Sequence, residues 1–229
     1  MGIREQRMDT VERSMATNLE SKTLAESPKL VKEILKYGES LRPFFQDFDV
    51  ILSDELSARY LSLFVYKLFT TMGNTNLEMV ALKLNSPRKF NDEADKEAFE
   101  ILKRFKGSRA LVVSEVIDTG KSKIEVQALL TEAGLDNVKF TAMDRGQNWL
   151  IRLINRLVRL DQSDILETAK SNAGRDMHGP QFNNRGRGTI SNAPYSRIPK
   201  KNPHTDRGEL VAVRRDLINL AKYIASKDN

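Results

Sequence analysis

Two acids, two hydroxyls, a lysine and a glycine fall within one short stretch, Glu115-Val116-Ile117-Asp118-Thr119-Gly120-Lys121-Ser122. Residues of these types at this spacing can hold a phosphate beside a reacting group. A turn over 118–122 aims backbone N–H groups at an anion, and a helix that follows adds the positive end of its dipole. Glu115 and Asp118 then stand where a sugar hydroxyl or a transferring proton would meet a carboxylate. The flanks fit this geometry. Ala110-Leu111-Val112-Val113 reads as a buried strand, and Ile124, Ala128, Leu129, Leu130 and Ala133 recur as one face of a helix that stops at Gly134. Gly120-Lys121-Ser122 matches the end of a G-x-x-x-x-G-K-[ST] loop, but that motif needs glycine where Glu115 stands, which excludes it. A strand-to-helix turn capped by Thr119 or Ser122 is the plain alternative, and it gives no reason for both acids.

An apolar strand, an acid, two apolar residues and then Asp118-Thr119-Gly120-Lys121-Ser122 resembles the phosphoribosyl-pyrophosphate (PRPP) loop of the type I phosphoribosyltransferase family. The resemblance is close over about a dozen residues, and the order of strands and helices extends it over roughly half the chain. The family usually carries two adjacent acids here, whereas this chain has Ser114 before Glu115. The resemblance implies transfer of ribose 5-phosphate from PRPP to a nitrogenous base or amine, with release of pyrophosphate. Thr119, Gly120, Lys121 and Ser122 would then bind the 5-phosphate. Glu115, with Ser114 beside it, would lie near the ribose and the magnesium ion (Mg2+) bound with PRPP. Asp118 would be the general base, and Glu115 the carboxylate that stabilises the cationic sugar.

An earlier strand-loop-helix unit supplies a second wall. Phe48-Asp49-Val50-Ile51-Leu52 reads as a short buried strand, and a long apolar helix is expected over 56–72. In the resembled family the loop between them holds pyrophosphate, and Ser57 and Arg59 are the residues here able to attract it. That loop has no glycine, and a helix start capped by Ser53 or Asp54 is the alternative. Further strands are expected over 77–84, as a buried strand, and over 138–143; helices are expected from Pro28, over 93–105, from Trp149 and over 209–225. A solvated or loosely docked helix is expected within 8–25. Residues 85–92, where relatives carry a flap, are short and hold Arg88 and Lys89, which read best as a solvated basic turn.

Alternating strands and helices predict an α/β fold, an open and mostly parallel sheet flanked by helices. The expected division is an N-terminal helical extension at 1–43, the α/β core at 44–160, and a basic loop with a C-terminal helix at 161–229. Ligands of such sheets sit beyond the carboxyl ends of the strands, where both candidate loops begin.

Composition narrows the class. In 229 residues, 40% apolar content is enough for a core, and the absence of cysteine excludes disulfides and thiolate chemistry. No apolar run approaches the roughly 18 residues of a membrane span, and the charged start Met1-Gly2-Ile3-Arg4-Glu5 does not read as a secretory leader, so a cytoplasmic protein is expected. Residues 170–215 hold ten Lys and Arg against three acids, which accounts for the whole net charge of +6. Such a segment suits a hood over an anionic ligand, to which Arg175, His178, Arg185 and Tyr195 would contribute, or a nucleic-acid-binding arm. The apolar stripe from Trp149 to Val158 suits the core or the contact of a homodimer. A non-catalytic PRPP or nucleotide sensor is the remaining alternative.

Overall fold

Val50-Ile51-Leu52 and Ala110-Leu111-Val112-Val113 are apolar at every position, the pattern of strands covered on both faces, which is the pattern of a parallel sheet between helices. In the computed structural model, which describes residues 18–26, 28–53, 58–82, 93–117, 121–145, 190–191, 200–201 and 207–228, they form its two central strands. The order of elements is α1 (Lys22–Ala25), α2 (Pro28–Leu41), β1 (Val50–Ser53), α3 (Arg59–Thr71), β2 (Glu78–Ala81), α4 (Glu93–Lys103), β3 (Ala110–Ile117), α5 (Lys121–Glu132), β4 (Val138–Arg145), β5 (Ile190–Ser191), β6 (Lys200–Lys201) and α6 (Arg207–Ala225). β5 and β6 pair antiparallel as a separate ribbon.

The four longer strands form one all-parallel sheet in the order β2-β1-β3-β4. The chain steps outward from β1 to β2, then back past β1 to β3 and on to β4. Right-handed crossovers therefore put α3 on one face and α4 and α5 on the other. Alternation along the strands serves both layers. Ile51, Leu111, Val113 and Met143 pack with α2, α3 and α6, whereas Val50, Leu52, Ala110, Val112, Val138 and Phe140 pack with α4 and α5. The α/β architecture expected from the sequence is thus observed, and α2 and α6 share one core with the sheet.

Two local devices fix the helices. α5 ends with Gly134 at φ +89°, where Leu135 N–H donates to Leu130 carbonyl and Gly134 N–H to Thr131 carbonyl, the paired bonds of a Schellman stop. Gly38 sits where α2, α3 and α6 converge: a Cβ there would lie 2.5 Å from Ile224 Cδ1 and 2.7 Å from Phe64 Cζ, both on fully buried side chains. Any larger residue would push the three helices apart.

Two expectations change, and an alternative left open by the sequence is decided. β2 is an edge strand with Glu78 exposed and Met79 to Ala81 only partly covered, because its outer side has no strand among the described residues to pair with. β3 continues through Ser114 and Glu115 to Ile117, because β4 keeps pairing with it. Residues 18–26 are docked rather than solvated: Ser21 and Leu24 are fully buried. The turn at 85–92, the stripe from Trp149, and the hood candidates Arg175, His178, Arg185 and Tyr195 lie outside the described residues. Among the described residues no helix is long and apolar enough to cross a membrane.

Candidate functional site

β1 and β3 are parallel neighbours, with Val50 opposite Ala110 and Ser53 opposite Val113. From this pair the chain leaves in opposite directions, β1 to β2 and β3 to β4. This is the switch point of the sheet, where open α/β folds form a crevice. The two strands end at different heights. β1 stops at Ser53, whereas β3 runs four residues beyond Val113, a rise of about 13 Å at the usual strand repeat. β4 backs that overhang, with Ser114 opposite Ala142, Val116 opposite Asp144 and Ile117 opposite Arg145. The result is a step, with the end of β1 as its floor and β3 with β4 as its wall.

Ser114 and Glu115 belong to the wall. Ser114 is 1% exposed, on the α4 and α5 side of the sheet like Val112 two residues before it. A carboxylate at that position would bury its charge at a large desolvation cost, so a small hydroxyl residue suits the interior. The backbone of Glu115 continues β3, and α5 begins at Lys121 and Ser122 only three residues after the strand ends. The amino end of a twelve-residue helix therefore meets the end of β3. The side chains of Glu115, Lys121 and Ser122, and all of Asp118, Thr119, Gly120 and Ser57, lie outside the described residues.

The floor is built by hydroxyls. Ser53 Oγ donates to Ser62 Oγ at 2.8 Å, and Ser62 Oγ donates to the Ala58 carbonyl at 3.0 Å, all three residues being fully buried. Ser53 thus ties β1 to α3 instead of capping it, and Ala58 at the N-cap has no side-chain acceptor to offer. Arg59 follows as the first residue of α3, partly buried. Its pKa is lowered, first by burial and then by the like charge of Arg214 on α6.

No local pattern in the sequence singles out Arg214 as a charge felt by Arg59. It belongs to the basic stretch 170–215 and stands next to Val213 on an amphipathic helix that buries Val213, Leu217 and Leu220. Its sequence neighbours are engaged elsewhere. Arg215 pairs with Glu20, and Asp216, 1% exposed, accepts from Glu20 N–H at 3.0 Å and Ser21 N–H at 2.8 Å.

Among the described residues no group of three or more His, Asp or Glu converges as a metal site. Neither a protein-family model nor a curated protein matches this chain.

Proposed function

We propose that this protein is a phosphoribosyltransferase of the type I kind, which moves ribose 5-phosphate from PRPP to a nitrogen of a base or amine and releases pyrophosphate. The observation that supports it is the step at the switch point. Two loops, 54–57 and 118–120, follow the carboxyl ends of adjacent parallel strands there, and the acid-x-x-Asp-Thr-Gly-Lys-Ser order runs from the end of β3 through the second loop into α5.

The roles follow from chemistry at each end of the substrate. Thr119, Gly120, Lys121 and Ser122 hold the 5-phosphate, with the amino end of α5 adding to the field. Arg59 and Ser57 face the pyrophosphate end. Magnesium enters with PRPP as part of the substrate and neutralises the leaving group. As the bond from the anomeric carbon to the pyrophosphate oxygen breaks, that carbon gains positive charge, which the Glu115 carboxylate stabilises while it orients the ribose hydroxyls. The acceptor nitrogen bonds to the same carbon, and Asp118 takes the proton the nitrogen loses.

The test is pyrophosphate release from PRPP and magnesium across a panel of nucleobases and small amines. Asp118→Asn is expected to lower turnover by about two to four orders of magnitude while PRPP affinity stays within about twofold. Tight PRPP binding without turnover for any acceptor would make the protein a sensor, and absence of PRPP binding would end the reading.

A further inference from the structure

We propose that the basic ribbon β5–β6, with the chain that leads into it and connects its strands, binds single-stranded nucleic acid, a function separate from the transferase chemistry and independent of that reading. The charge carries it first. Within the stretch that accounts for the whole net charge, residues 177–205 include no Asp or Glu and hold Arg185, Arg187, Arg197, Lys200 and Lys201. The fold then gathers these positions. Ile190 pairs antiparallel with Lys201 and Ser191 with Lys200, in a two-stranded sheet apart from the four-stranded one. The pairing turns the chain back on itself, so that Lys200-Lys201 lies alongside the strand entered from Arg185-Gly186-Arg187-Gly188, while the connection 192–199 carries Tyr195 and Arg197.

Cations drawn together in this way, with no acid among them in the sequence, repel one another until anions neutralise them. Their spacing chooses the anion. The basic positions are spread over 185–201, across both strands and their connection, which suits the repeating phosphates of a polymer rather than one small phosphate ester. The aromatic residues choose the strandedness. Phe182 and Tyr195 flank and interrupt the basic positions, and a base outside a duplex can stack on such rings while arginine and lysine follow the backbone. Contacts to phosphates and to the flat faces of bases read no particular sequence, so binding is expected to be tolerant of sequence.

Fluorescence anisotropy of a labelled, mixed-sequence single-stranded RNA of about 20 nucleotides, titrated with the full-length protein, tests the ribbon. Between about 50 and 200 mM salt the affinity should fall about twenty- to hundredfold, the slope for roughly three to five phosphate contacts on a single strand. Lys200→Gln together with Lys201→Gln should weaken binding at the lower salt about tenfold and reduce the salt slope by about 1.4, whereas Tyr195→Ala should weaken it about fivefold or more with the slope unchanged. Arg185→Gln together with Arg187→Gln should act as the lysine pair does. Both double variants should melt with the parent, because the ribbon stands apart from the four-stranded sheet; if one of them melts lower, the other decides. A parent protein that binds no RNA at the lower salt, unchanged affinity in the double variants, or a duplex of the same sequence bound more tightly than the single strand would overturn the inference. Displacement of the RNA by PRPP and magnesium would overturn it too, since the segment would then be a hood over the transferase site. RNA binding undisturbed by PRPP supports the ribbon whether or not PRPP turns over with any acceptor.

Discussion

Ser62 works as a relay, accepting from the Ser53 hydroxyl and donating to the Ala58 carbonyl, so that the polar end of β1 is satisfied inside the core. Ser62→Ala removes the acceptor from a buried donor, which costs about 1–2 kcal/mol; equilibrium urea unfolding should show a lower midpoint with an unchanged slope. A midpoint equal to the parent's would mean that Ser53 finds another acceptor. The same small scale explains what the sequence revealed and hid. The place of Arg59 was legible, because a polar bend between an apolar strand and an apolar helix puts it at the helix start, where it is observed. The influence of Arg214 on Arg59 was not, since it depends on how two helices pack and on no local pattern. Ser114 was legible as a missing charge, but the reason, a site 1% exposed beneath the sheet, needed the strand to be seen running past Val113.

At the scale of elements, the step depends on the register of β1 against β3, and a clamp at the opposite, amino end of these two strands ties them together. Arg109 Nη2 donates to Asp49 Oδ1 at 2.8 Å, its Nε and backbone N–H donate to Oδ2 at 3.1 and 2.9 Å, and Asp49 N–H donates to the Arg109 carbonyl at 2.9 Å. The hydrogen bonds from Arg109 hold the Asp49 carboxyl below its ordinary value of 3.8. A lowered carboxyl pKa means that folding favours the charged form, so the clamp's contribution is complete above that ordinary value and disappears as pH falls through the lower folded one. With side chains 43% and 46% exposed, water screens the pair, and its worth is below about 1 kcal/mol. Asp49→Asn is expected to flatten the urea midpoint against pH below the ordinary carboxyl value of 3.8 relative to the parent. An unchanged profile would show that other carboxylates govern the acid limb. The sequence made β1, β3 and most helix faces readable through apolar runs and periodicity, but on α5 Ile124 and Ala128, expected to face inward with Leu129, Leu130 and Ala133, are exposed. It could not tell that β2 lies at the edge, because residues 79–82 are apolar whether one neighbour or two covers the strand, and strand order is set by crossovers.

Over the whole molecule, residues 18–26 and α6 meet on one face, and the way they are joined explains why the sequence left docking and solvation of that segment as alternatives. The segment before α1 has no strong apolar period; it is held by carboxylates of α6 that accept its backbone N–H groups, with Glu209 accepting from Lys22 N–H at 3.2 Å and Asp216 from Glu20 and Ser21. Leu24, fully buried in the core that contains α6, completes the attachment. The strength is uneven. Asp216 is buried, so Asp216→Ala leaves two amide donors without their acceptor and should cost about 2–4 kcal/mol. Glu20→Ala breaks an ion pair whose side chains are both about half exposed, so it should cost well under 1 kcal/mol. Hydrogen exchange at the amides of Glu20 and Ser21 should therefore accelerate in Asp216→Ala and stay near the parent rate in Glu20→Ala, with urea unfolding following the same order. Equal protection in Asp216→Ala and the parent would show that the buried carboxylate does not hold the two ends together.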